Sequence, residues 1–231
     1  MIPLRIAAHL AGGVAYNPGE GLSIDGPLAW AAALERTGAA ALDEIEHAEL
    51  TRLCAEPDPA VPLAVHRAAG FWCYCASFAE VHGGQRTELV HWNKRWDDAL
   101  AQQAMERGAL DLSGRTRVDT GAGEFRSYHM PLYLEYAERL LWYVVGDRAE
   151  VTRLLAAHIT HLGKKRAHGH GMVVEWEVLP AGSADRWLWR APGELARPAP
   201  LAMLPDWTGA TELRGYRPPY WLPQHQAECA V

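Results

Sequence analysis

The sequence predicts an α+β protein: a ferredoxin-like βαββαβ core, an insertion at about 83–125, and an irregular extension over 180–231. Three observations carry that expectation. An alternating segment at 3–10 leads into a helix with its own start signal. Two extended stretches bracket a region where the pattern degrades. An amphipathic helix over 148–161 then leads into a second alternating segment at 172–179. Strand, helix, two strands, helix, strand is the βαββαβ order, and 231 residues are enough to bury a core around it. That frame hosts many unrelated functions, so function has to come from particular residues.

Leu4, Ile6, Ala8 and Leu10 recur at every second position, which puts them on one face of a strand. After a glycine-rich turn, Asp25-Gly26-Pro27 opens a helix carrying Leu28, Trp30, Ala31 and Leu34, with Asp25 its expected cap and Pro27 in its first turn. A second helix is expected over 41–54, ending before Pro57-Asp58-Pro59. Residues 61–81 read as extended through Val61, Val65 and the run Phe71-Trp72-Cys73-Tyr74-Cys75. Cys73 and Cys75 then share one strand face; with no second cysteine pair to complete a tetrahedral zinc site, they read as buried thiols.

From 83 to 124 periodicity is lost. His91-Trp92-Asn93-Lys94-Arg95-Trp96 is basic and aromatic, and Ser113-Gly114-Arg115-Thr116-Arg117 is a cationic turn. The segment reads as an insertion projecting from the core. Regularity returns with a strand at 139–146 and a helix at 148–161, whose Val151, Leu154, Leu155, His158 and Ile159 share a face. The strand at 172–179 completes the core, and the Pro-, Trp- and Arg-rich remainder reads as irregular structure laid over it.

Between the last helix and the last strand lies Leu162-Gly163-Lys164-Lys165-Arg166-Ala167-His168-Gly169-His170-Gly171. Glycine lets a chain turn sharply and come close to a ligand. Backbone N–H groups beside cationic side chains suit phosphate oxygens. The loop follows a helix and precedes a strand, the reverse of the P-loop and Rossmann arrangements, and GxxxxGK followed by Ser or Thr is absent. That order argues against nucleotide-hydrolysing and dinucleotide-binding sites. The competing reading is a solvated helix-to-strand turn with Gly163 as the helix C-cap.

Composition sets further bounds. The formal net charge is −6, and nearly all of it sits between Asp43 and Asp58, where six acids face the single base Arg52. An anion-binding face elsewhere is compatible with that distribution. Four scattered cysteines make no disulfide framework. The N-terminus lacks a signal-peptide pattern and no apolar run is long enough to span a bilayer, so a cytoplasmic location without membrane contact is expected.

Residues 1–34, with Leu22-Ser23-Ile24-Asp25-Gly26-Pro27-Leu28-Ala29-Trp30, resemble the opening of the RAMP superfamily of CRISPR-associated proteins. The loop at 162–171 is similar to that superfamily's glycine-rich loop. Arg197-Pro198-Ala199-Pro200 and Gly215-Tyr216-Arg217-Pro218-Pro219-Tyr220-Trp221 add a resemblance to the type IV effector subunit of the group that caps the 5′ handle of crRNA. The resemblance implies an RRM-like core with a thumb-like insertion and a non-catalytic crRNA-binding role in a multi-subunit complex of antiviral or anti-plasmid defence. Its partners would be crRNA, a repeated backbone subunit and a large subunit, with target DNA a further candidate; no cofactor and no metal are implied. The residues expected to meet RNA are Gly163, Lys164, Lys165, Arg166, His168, Gly169, His170 and Gly171 in the loop, and Lys94, Arg95, Trp96, Arg115, Arg117 and Arg126 in or beside the insertion. Trp92 and Trp96 flank Lys94-Arg95, a pattern suited to base stacking beside cations. Seven bases balance seven acids over 85–126, so contact there must come from local clusters.

The alternative is a metal-independent endoribonuclease on the same fold. His158, His161, His168 and His170 lie close in sequence and could supply a general base. No Asp or Glu adjoins them to orient a ring, which weighs against both catalysis and metal binding. Ten tryptophans also need a place. Trp187, Trp189, Trp207 and Trp221 fall in the extension, where a small core cannot bury them all, and part of that surface is expected to face another subunit.

Overall fold

The structure, a computed structural model, describes residues 1–17, 19–84, 86–95, 98–108, 119, 121 and 126–231. It is a mixed α+β protein with several antiparallel sheets. The chain divides into two compact units, Met1–Arg86 with Glu135–Val231, and Thr87–Leu134.

In chain order, the first part of the larger unit contains β1 (Ile2–Leu10), β2 (Val14–Ala15), α1 (Asp25–Thr37), α2 (Ala39–Asp43), α3 (His47–Leu53), β3 (Val65–Ala68), β4 (Phe71–Tyr74) and β5 (Glu80–His82). The smaller unit is built on β6 (Arg86–Lys94), α4 (Asp98–Glu106) and β7 (Tyr128–Tyr136). The larger unit resumes with β8 (Arg139–Gly146), α5 (Arg148–His158) and β9 (Val173–Pro180). It ends with β10 (Trp189–Ala191), β11 (Glu194–Leu195), β12 (Ala199–Pro200), β13 (Thr211–Gly215) and β14 (Gln226–Ala230).

The main sheet has the order β5-β8-β1-β9, and every neighbouring pair is antiparallel. Its strands and helices follow the chain as strand, helix, strand, strand, helix, strand. The alternation in β1 does what its period requires: Leu4, Ile6 and Ala8 have no exposed surface and pack with Leu28 and Ala31 of α1 and Val151, Leu154 and Leu155 of α5. Trp142 of β8 completes this layer, and its indole N–H donates to the Leu22 carbonyl at 2.9 Å. On the other face, Val145 of β8 packs against a second cluster that includes Trp187.

Several sequence expectations need correction. Asp25 does not cap α1: Ile24 holds that position, and Asp25 is a buried carboxylate inside the first turn. The helix expected over 41–54 is two short helices, α2 and α3, on a stretch with too few apolar residues at helical spacing to be held against the core. The last helix stops at His158 with Ile159 as its C-cap, so Gly163 is not a cap. Its start is well made, since the Asp147 carboxylate accepts the Glu150 N–H at 3.0 Å. The supposedly patternless insertion holds a nine-residue strand, β6, and the helix α4, and a second nine-residue strand, β7, follows it. The C-terminal extension is also more regular than its proline content suggested, with β12, β14 and β13 forming a three-stranded sheet.

Cys73 and Cys75 are buried in one cluster with Trp187, Tyr216 and Cys229. Burial pushes both thiols up, Cys75 to about 12, so they behave as apolar core residues rather than reactive thiolates. Among the described residues, no helix is long and apolar enough to cross a membrane.

Candidate nucleic-acid interface

The basic loop between α5 and β9 is anchored at its base and open at its tip. At the base, Leu162 is buried and donates its N–H to the Gly171 carbonyl at 2.8 Å. Gly171 donates to Gly13 at 2.9 Å, and Lys164 to Ala15 at 2.6 Å, which ties the loop to the turn after β1. Gly163 and Gly171 have φ of +75° and +71°. A Cβ at Gly163 would lie 2.3 Å from the Ala15 carbonyl oxygen, and one at Gly171 2.0 Å from that of Leu162. Both positions therefore demand glycine for conformation and for space.

At the tip, Lys165 adopts a left-handed conformation and Arg166–His168 make one 3-10 turn. The turn is closed by the His168 N–H on the Lys165 carbonyl and the Gly169 N–H on the Arg166 carbonyl, both at 2.9 Å. Lys164, Arg166 and His168 are exposed; Lys165 and His170 are half-buried. Lys164 Nζ stands 3.8 Å from the Glu20 carboxylate. Five N–H groups of the loop (Leu162, Lys164, His168, Gly169 and Gly171) already donate to backbone carbonyls. The glycines thus build the loop, and its capacity for anions lies with the side chains.

In the smaller unit, β6 pairs with β7. His91 meets His129 with ring centroids 4.1 Å apart, and Trp92 meets Tyr128 at 4.4 Å. These contacts join the two strands across residues far apart in sequence, with Lys94 at the end of β6 and Arg126 just before β7. Arg95 and Arg126 are exposed and Lys94 half-buried. Trp92 is half-buried against Tyr128, so its ring is a packing element of the hairpin rather than an open stacking platform. Trp96, Arg115 and Arg117 lie outside the described residues.

The histidines do not form one cluster. His158 Nε2 lies 2.7 Å from Glu35 Oε1, so a carboxylate that the local sequence lacks is brought in from α1. That carboxylate is already engaged: Arg153 donates to both of its oxygens, at 2.6 and 2.9 Å. Hydrogen bonds from Arg153 and then His158 hold the Glu35 carboxyl down at about 2. His161 Nδ1 instead meets the Thr160 hydroxyl at 3.0 Å. Among the described residues, no three His, Cys, Asp or Glu side chains gather where a metal ion could sit.

Sequence reasoning missed a buried polar network. Arg197 is fully buried and donates to the carbonyls of Tyr74 at 2.8 Å, Ala76 at 2.9 Å, and Tyr216. The Tyr220 hydroxyl lies 2.8 Å from each oxygen of Asp25, whose carboxylate is 3.5 Å from Arg197. Arg217 lies over the Trp72 ring at 4.3 Å. The network joins the start of α1, the end of β4 and the C-terminal extension. Its members fall in three segments already singled out for the resemblance, those holding Asp25, Arg197 and Tyr216 to Tyr220, but nothing local to any of them says that they meet.

The sequence profile of the family described as CRISPR type IV associated protein Csf3 matches residues 2–231. No curated protein matches the chain.

Proposed function

Because this chain belongs to the Csf3 family of type IV CRISPR-associated proteins, we propose that it is a non-catalytic RNA-binding subunit of a type IV effector complex. In this reading it is a RAMP protein that holds the 5′ handle of crRNA with the loop at 162–171, while a backbone subunit and a large subunit complete the particle. The observation that carries the reading is the construction of that loop. Its base is pinned to the β1–β2 turn through glycines that tolerate no side chain, and its tip presents Lys164, Arg166 and His168 to solvent. A rigid base holds the cations at fixed spacing, so less side-chain and backbone entropy is lost when phosphates bind. Lys and Arg supply charge, and Arg a fork that matches phosphate oxygens.

The test is RNA affinity as a function of salt, with a repeat-derived RNA and the triple variant Lys164→Ala, Lys165→Ala, Arg166→Ala. If all three cations meet phosphates, the variant binds more weakly and its log–log salt slope flattens by roughly 2. Unchanged affinity and slope would overturn the assignment. The competing endoribonuclease reading predicts metal-independent cleavage of a repeat hairpin that is lost in His168→Ala or His129→Ala. The non-catalytic reading predicts intact RNA.

A further inference from the structure

We propose that His91 and His129 form a two-histidine binding site for a divalent transition-metal ion, Zn²⁺, Ni²⁺ or Cu²⁺, on the exposed face of the β6–β7 hairpin. The site lies wholly in the smaller unit and is independent of the RNA-binding reading.

Both histidines are exposed, and they stand opposite one another on paired strands, with centroids 4.1 Å apart and ring planes 8° from parallel. Asn93 Oδ1 meets His129 Nδ1. With Nδ1 donating to that oxygen, the Nε2 lone pair of His129 is left for a ligand. Fixing the tautomer of a ligating imidazole through its other nitrogen is the usual task of the groups that surround a metal site. The stacked rings are one soft torsion away from converging on an ion, because rotation about an imidazole χ2 is broad and low in cost.

The surrounding face also suits a cation. In the register set by the ring contacts, Thr87, Leu89 and Asn93 of β6 share this face with Pro131 and Tyr133 of β7, and all five are exposed. A solvent-facing strand surface ordinarily carries charged side chains. Within β6, Glu88 and Lys94 occupy the alternate, half-buried positions instead, and the exposed Arg95 follows only after the strand ends. Two neutral imidazoles favour Zn²⁺, Ni²⁺ or Cu²⁺ over Mg²⁺, which takes oxygen ligands. Water fills the remaining coordination positions.

The experiment titrates the full, tag-free chain with CuCl₂ and ZnCl₂ at pH 7.5 by calorimetry, with Cu²⁺ electron paramagnetic resonance to count nitrogen ligands. The expected result is one Cu²⁺ bound with a two-nitrogen signature, lost in both His91→Ala and His129→Ala while circular dichroism is unchanged. Asn93→Ala keeps both ligands and lowers affinity about tenfold or more. His161→Ala and His168→Ala leave that ion in place. The proposal is overturned if both single variants bind Cu²⁺ like the parent, or if the ion is lost with His161 or His168 instead.

Discussion

Arg197 has no exposed side-chain surface, yet its guanidinium serves the carbonyls of Tyr74, Ala76 and Tyr216 and faces the Asp25 carboxylate. A buried charge of this kind is held in place by its partners, and removing one partner strands the others without water. Arg197→Met is therefore expected to cost about 3–5 kcal/mol in denaturant unfolding, while Tyr220→Phe, which removes the hydroxyl beside Asp25, costs about 1–2 kcal/mol. Additive effects in the double variant would show that the groups do not act as one network. Burial raises the Asp25 carboxyl above its ordinary 3.8, with Arg197 opposing that rise. The native state therefore holds this proton more tightly than the unfolded chain, and Asp25 contributes less stability as pH rises above 3.8. Glu35 behaves in the opposite way. Its carboxyl lies near 2 against an ordinary 4.5, so its contribution is complete above pH 4.5 and is lost as pH falls toward 2. A melting-temperature profile across that window should be flatter for Glu35→Gln than for the parent; parallel profiles would remove Glu35 from the acid response.

The loop at 162–171 works as an element only because its two ends are fixed. Gly171→Ala would put a Cβ 2.0 Å from the Leu162 carbonyl oxygen at a φ of +71°, and Gly163→Ala meets the Ala15 carbonyl oxygen at 2.3 Å. The left-handed conformation alone costs a non-glycine residue about 1–2 kcal/mol, and the clash adds to that. Each substitution should lower the melting temperature and weaken RNA binding without touching a cation, whereas Gly169→Ala, whose Cβ meets nothing within 4 Å, should be milder. Equal behaviour of all three variants would mean that the docked base does not position the tip. At the other end of α5, Asp147→Ala removes the cap on the Glu150 N–H and is expected to cost about 1 kcal/mol, read by chemical denaturation. The alternation of β1 and the helical period of α5 were legible in sequence because each buries a single face against the same core. The region from 83 to 124 was not, because the half-buried face of β6 carries Glu88 and Lys94 beside Val90 and Trp92, so its alternation in burial is not an alternation in hydropathy.

At the scale of the whole molecule, the smaller unit is inserted between β5 and β8, which pair directly from His82 opposite Arg139. The turn between them is closed by the Glu138 N–H on the carbonyls of His82 and Gly83. Replacing residues 87–134 by a short Gly/Ser linker should thus leave the larger unit folded and cooperatively melting, since its main sheet needs none of those residues. The same variant is expected to fail to co-purify with the other subunits and RNA of the effector complex; normal stoichiometry in that pull-down would show the insertion to be dispensable for assembly. The amino-acid sequence by itself determined the order of the core elements, the faces that β1 and α5 bury, and the cationic glycine loop, because these follow from local period and composition. Only the tertiary structure decided that the glycines of that loop dock its base, that Glu35 reaches His158, and that Asp25, Arg197 and Tyr220 converge in the interior. Glu35 with His158 and Asp25 with Tyr220 join residues more than a hundred positions apart, and the docked glycines answer to a single carbonyl's approach; no local pattern encodes either.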